Sequence, residues 1–190
     1  MPVVSLARSP KAMLVGQAPG KTEAAGGRPF AGRAGRTLFS WLASAGIDEG
    51  TARSRIYISA ITRCYPGPSP SGRGDRVPNP EERANCSTWL ASELRIIRPA
   101  LIIPVGRLAI DAFFGPIPLD EAVGRAFDLT NDKRLVWTRD TRLVGVAVPL
   151  PHPSGASSWI HAPGHKQLLA DALDLIARHW KTLERGRRVA

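Results

Sequence analysis

The chain has 190 residues, 43% of them hydrophobic, and a formal net charge of +10 from 26 Lys+Arg against 16 Asp+Glu. That length suits one domain over residues 1–190 with a single core, closed by a basic tail from about residue 184. The composition excludes a spanning helix, because no apolar run approaches the roughly 20 residues one needs; with only Cys64, Cys86 and four histidines, it also excludes a disulfide framework and a zinc finger.

In chain order, Met1 to Lys11 lacks the continuous apolar core of a secretory signal, so cytoplasmic residence is expected. Ala12 to Gly16 reads as a first strand, followed by the turn Gly16-Gln17-Ala18-Pro19-Gly20. Leu38, Leu42 and Ala45 make a helical stripe over Ala34 to Ala45, which Gly46 closes. Arg55 to Thr62 reads as a second strand, and the Pro/Gly/Ser-rich stretch Tyr65 to Pro80 as a long loop. Asn79-Pro80-Glu81-Glu82 has the cap, N1 proline and acidic first turn of a helix start, with Cys86, Leu90, Leu94 and Ile97 on its buried face. A third strand follows over Ala100 to Gly106, then a short helix over Arg107 to Phe114. Gly115 to Asp132 reads as irregular, with an edge hairpin through Arg134 to Val146. The fourth strand is Arg142 to Leu150, and a long helix runs from His161 to Leu183. Strands alternating with helices predict an α/β fold, a three-layer α/β/α sandwich around a four-stranded parallel sheet.

Two segments carry chemistry, each directly after a strand, where open α/β sheets bind ligands. At the first, glycines let the backbone approach a ligand closely and expose N–H donors. Glu23 offers a carboxylate, and Phe30, in a Gly/Arg-rich loop, offers a stacking face. At the second, Pro151 and Pro153 restrict the backbone around His152, fixing an imidazole that can donate to a developing oxyanion. Ser154, Gly155, Ser157 and Ser158 supply small donors for phosphate ahead of the last helix. The charge of +10 points to a polyanionic partner. Neither a dinucleotide fingerprint, a P-loop nor a serine-hydrolase elbow is present.

Read together, Val15-Gly16-Gln17-Ala18-Pro19-Gly20-x-x-Glu23, Gly27-x-Pro29-Phe30-x-Gly32-Arg33-Ala34-Gly35, Ile56-Tyr57-Ile58, Arg63-Cys64, Val105-Gly106 and His152-Pro153-Ser154-Gly155 resemble the uracil-DNA glycosylase superfamily. The nearest pattern is that of its bacterial and archaeal iron–sulfur class. The resemblance implies hydrolysis of the N-glycosidic bond of uracil in single- and double-stranded DNA by a monomer that flips the base out of the stack. It places Phe30 on the uracil face and Gly16, Gln17 and Ala18 at its edge, with Ser59 and Ala60 at the pocket floor. It makes His152 the donor to uracil O2 and Glu23 the residue that orients water or favours the cationic sugar. Pro153, Ser154, Gly155, Ala156 and Ser157 would grip the DNA backbone, joined by Arg63 and Arg107.

The chain departs from the family pattern at three places. The cluster class uses four cysteines, whereas only Cys64 and Cys86 fall at matching positions, and two thiolates do not make the four ligands of a cluster; no cofactor is expected. Gln17 matches the commonest uracil glycosylases, but Ala18 stands where those place a water-directing Asp. Tyr57-Ile58-Ser59-Ala60 replaces a Tyr-Ile-Thr-Asn pattern, so the base-reading Asn is Ala60, with Ser59, Thr62, Asn85 or a main-chain pair as substitutes. Two further functions follow from these departures. One is a glycosylase for hypoxanthine or xanthine, and the other is a catalytically silent protein that binds damaged DNA.

Overall fold

The computed structural model describes residues 1–72, 74–130, 144–155 and 158–187. Five strands form one sheet: β1 (Ala12–Gly16), β2 (Ile56–Ala60), β3 (Leu101–Pro104), β4 (Phe127–Asp128) and β5 (Val146–Ala147), in the order β2-β1-β3-β5-β4. β1 runs parallel to both β2 and β3, and β3 runs parallel to β5. The expected four parallel strands are therefore present, with an antiparallel fifth, β4, added at the edge. It arises inside the stretch expected to be irregular, where Phe127 and Leu129 are buried around an exposed Asp128, the alternation of a half-buried strand. The ladder of the fourth expected strand narrows to β5 and a parallel bridge between Val105 and Leu150; most of the edge hairpin expected through Arg134 to Val146 lies outside the described residues.

The helices are α1 (Lys21–Gly26), α2 (Arg33–Ser44), α3 (Glu49–Arg55), α4 (Pro80–Ile97), α5 (Arg107–Phe114), α6 (Leu119–Ala122) and α7 (His165–Arg187), with a 3-10 turn at Trp159–His161. β1 is buried along its whole length, and its side chains divide strictly by parity. Ala12 and Leu14 join one core cluster with Leu38 and Leu42 of α2 and Leu169, Leu173, Ile176 and Trp180 of α7. Met13 and Val15 join the other with Leu90 and Leu94 of α4 and Ile110 and Phe113 of α5. Two apolar faces on one sheet demand a helix layer on each, which is the three-layer architecture. Cys86 and Ile97 of α4 are only half-buried, so its core contact is narrower than the four-residue stripe expected.

α4 starts as its sequence prescribes. The Asn79 side chain accepts from the Glu82 amide at 2.8 Å and the Glu82 carboxylate accepts from the Asn79 amide at 2.8 Å, a reciprocal cap with Pro80 at the first position. Because β2 and β3 lie on opposite sides of β1, the chain reverses its winding direction at the ends of β1 and β3. A crevice opens at such a switch.

Candidate active site

The crevice is a cleft of about 550 Å³ beyond the C-terminal ends of β1 and β2. Strand hydrogen bonding continues past the strands into its wall. Ile61 N–H donates to the Gly16 carbonyl at 3.0 Å and Thr62 N–H to that of Gln17 at 3.2 Å, while Gly106 N–H donates to Leu150 at 2.9 Å. Gly16, Gln17, Ala18, Glu23, Phe30, Ser59, Ala60, His152 and Ser154 all line it, so the two distant segments of the chain do meet.

Glu23, in the first turn of α1, spends both carboxylate oxygens on backbone. One accepts from the Gly20 amide at 3.1 Å and the other from the Gly32 amide at 2.8 Å. It thereby ties the turn after β1 to the loop that carries Phe30. Phe30 itself has φ +50°, a left-handed conformation that is uncommon for an aromatic residue. Arg53 holds it there, donating to the carbonyls of Pro29 at 2.8 Å and Phe30 at 3.0 Å while its guanidinium lies 4.3 Å above the Phe39 ring. On the other side, a Cβ at Gly35 would stand 1.9 Å from the Phe30 carbonyl oxygen. Gly35→Ala is therefore expected to force the loop away and to destabilise the fold by roughly 3 kcal/mol, the upper part of the range for overpacking. Urea unfolding checks this, and a loss under about 1 kcal/mol would show that the loop yields freely.

His152 sits half-buried between Pro151 and Pro153, both buried. Its Nδ1 lies 2.8 Å from Ser154 Oγ and receives the Ser154 amide N–H at 3.2 Å. An amide N–H can only donate, so Nδ1 is the acceptor, and the ring proton of the neutral imidazole is on Nε2. Burial pushes the imidazole pKa below its ordinary value, which favours that neutral form. Gly106 makes room for the ring: it has φ +85°, and a Cβ there would stand 2.9 Å from His152 Cδ2. A neutral N–H donor on a fixed ring can stabilise an anion forming within the cleft.

Not every expected residue joins the site. Arg63 has a side chain only 13% exposed and is ion-paired with Glu93. Glu93 also accepts from the Tyr57 hydroxyl at 2.5 Å and the Ser59 hydroxyl at 2.7 Å, so Arg63 belongs to a polar cluster joining β2 to α4. Arg107 is exposed, but it donates to the Ile117 carbonyl and lies 3.8 Å from Asp111, bracing its own helix. Pro153 is buried and Gly155 exposed, while Ala156 and Ser157 lie outside the described residues. Of the substitutes for the missing Asn, Thr62 and Asn85 line a separate cavity of about 160 Å³.

Cys64, exposed, and Cys86, half-buried, line that second cavity with Tyr65 and Glu82. Among the described residues no group of three or more His, Cys, Asp or Glu is placed to hold a metal ion. The residues there do not fit a four-thiolate iron–sulfur cluster.

Among the cleft residues that sequence reasoning missed are three charged ones, Arg33, Asp75 and Arg76. Arg33, at the start of α2, brings its guanidinium to 4.0 Å from the point where a Cβ on Gly155 would stand, putting a cation beside the Ser154–Gly155 turn. Asp75 and Arg76 enter from the loop after β2. The only signal for them was the length of that loop.

The family profile described as Uracil DNA glycosylase superfamily matches residues 4–174. The chain is 37% identical over 142 residues to a "Type-4 uracil-DNA glycosylase" of Archaeoglobus fulgidus, covering 72% of this chain and 64% of that protein. It is 32% identical over 128 residues to a protein of the same description from Thermotoga maritima, covering 66% and 62%, and 32% identical over 138 residues to one from Pyrobaculum aerophilum, covering 73% and 62%. The matched region thus spans less than two thirds of the length of each of these relatives.

Proposed function

The chain belongs to the uracil DNA glycosylase superfamily, and from that premise we propose that it is a monofunctional DNA glycosylase that releases uracil from DNA. The observation that carries this reading is the meeting of Phe30, the Gly16–Ala18 backbone and a neutral His152 in one cleft. A uracil flipped from the duplex would lie with one face on the Phe30 ring, whose edge is against Gly16. Its polar edge would meet the backbone of Gly16 to Ala18. Gln17 carries the only amide side chain among the described lining residues, and takes the donor-and-acceptor role that Ala60 cannot fill.

As the C1′–N1 bond breaks, its electron pair moves into the ring. Nε2–H of His152 donates to O2, where the charge gathers. Glu23 adds a fixed negative charge near the cationic sugar, but its main work is to hold the two loops together. Arg33 and the Ser154–Gly155 turn suit the phosphates flanking the flipped nucleotide. The net charge of +10 suits DNA as the partner.

Labelled oligonucleotides carrying a single uracil, hypoxanthine, xanthine or thymine, incubated with excess protein and cleaved at abasic sites, test the reading. Uracil release in single- and double-stranded DNA is expected. Release of hypoxanthine or xanthine alone would reassign the substrate, with Ala60 as the reason. Salt-sensitive DNA binding without any abasic product would replace the enzyme with a binding protein.

A further inference from the structure

Glu23 has both oxygens on backbone amides, which fixes the carboxylate in place and leaves each oxygen one lone pair for a further donor. The long loop after β2 supplies a second carboxylate. Within it, Pro68 and Asp75 form an antiparallel bridge, and the Arg76 amide donates to the Gly67 carbonyl at 3.1 Å, the pairing of a small hairpin stem. Arg76 anchors the stem by donating twice to Glu82, at 2.8 and 2.6 Å. That pair, with the Asn79 amide, holds the Glu82 carboxyl at about 2, so the anchor stays charged through neutral pH.

The hairpin delivers Asp75 to the first catalytic segment. Asp75 Oδ2 and Glu23 Oε2 each lie 2.8 Å from the point where a Cβ on Gly20 would stand, so the two carboxylates flank the same turn. The Tyr65 hydroxyl donates to Asp75; desolvation, and then this bond and the Asp75 charge, raise the phenol above its usual range, so it remains a donor. Asp75 lines the same cleft as Phe30 and His152.

Resting on the uracil-releasing reading, we propose that Asp75 is the general base of this enzyme, filling from the β2–α4 loop the role that Ala18 cannot fill. A water between Asp75 and C1′ gives its proton to the Asp75 carboxylate as its oxygen bonds to C1′. The C1′–N1 bond breaks, and its electron pair leaves on the uracil ring, held at O2 by His152. The uracil anion takes a proton from solvent on release, and Asp75 returns its proton to solvent. The two carboxylates divide the work: Glu23 ties the loops together and Asp75 accepts the proton.

The test measures single-turnover uracil release and oligonucleotide affinity for wild type, Asp75→Asn and Asp75→Ala, the last with and without added formate. Asp75 is exposed, so both variants are expected to fold. The expected result is a loss of roughly 10²-fold or more in release for both, unchanged affinity within about twofold, and partial recovery of Asp75→Ala by formate, which replaces the missing base. Release by Asp75→Asn within about threefold of wild type overturns the proposal, as does a matching loss of affinity or a failure of formate to restore Asp75→Ala. Wild-type protein that releases no uracil defeats the underlying function instead, and is distinguished by the wild-type lane alone.

Discussion

His152→Ala is expected to lower single-turnover uracil release by roughly 10²- to 10³-fold while leaving DNA affinity nearly unchanged, the scale of losing one positioned donor to a developing anion. The expectation rests on tautomer and position. Ser154 occupies Nδ1 from two donors, so the imidazole presents its Nε2 proton, and the flanking prolines keep the ring from turning away. The same arrangement sets a pH dependence. Burial lowers the His152 pKa, so at neutral pH the ring is uncharged and the site complete. As pH falls below about 6.5 and then through the lowered value, Nδ1 takes a proton, the bond from the Ser154 amide is lost, and kcat/KM declines. The acid limb in kcat/KM should therefore lie below the ordinary histidine value and vanish in His152→Ala. A limb above 6.5, or one that survives the substitution, would assign it to another group.

Glu23→Ala is expected to reduce release by a similar factor, roughly 10²-fold, but by a different route. Removing the carboxylate leaves the Gly20 and Gly32 amides without their charged acceptor and unties the two loops that frame the cleft. It should therefore also destabilise the protein by about 1–3 kcal/mol, since each of those bonds is charge-assisted and only partly replaceable by water. Glu23→Gln keeps one acceptor oxygen and should recover part of both losses. Calorimetry beside single-turnover kinetics checks the pairing: full stability in Glu23→Ala with a hundredfold slower reaction would restore Glu23 to direct chemistry.

The fold was largely legible because its strongest signals are local. β1 and β3 are buried on both faces and read as unbroken apolar runs, and the Asn79–Glu82 cap announces α4 four residues at a time. β4 was not legible, since two residues pair only because β5 is already beside them. The site divided along the same line. Phe30 and His152 sit next to glycine and proline that constrain them locally, so their importance shows in the sequence. The clamping role of Glu23 depends on Gly32, nine residues away, and Asp75 reaches the cleft only through a hairpin anchored on Glu82. Arg63 misled for the complementary reason: a cation after a strand looks like a DNA contact until its partner Glu93, 30 positions on, is seen.

The hydrogen bonds that run on beyond the strands bear on how such a pocket changes its substrate. The Val105 amide donates to the Val15 carbonyl and the Gly106 amide to the Leu150 carbonyl, so the gap between the turn after β1 and the segment bearing His152 is fixed at about two strand spacings, roughly 10 Å. No side-chain replacement alters that width. A change in what the cleft accepts would therefore come from the residues that floor and cap it, such as Ser59, Ala60 and Asp75, while the backbone acts as a gauge of fixed width.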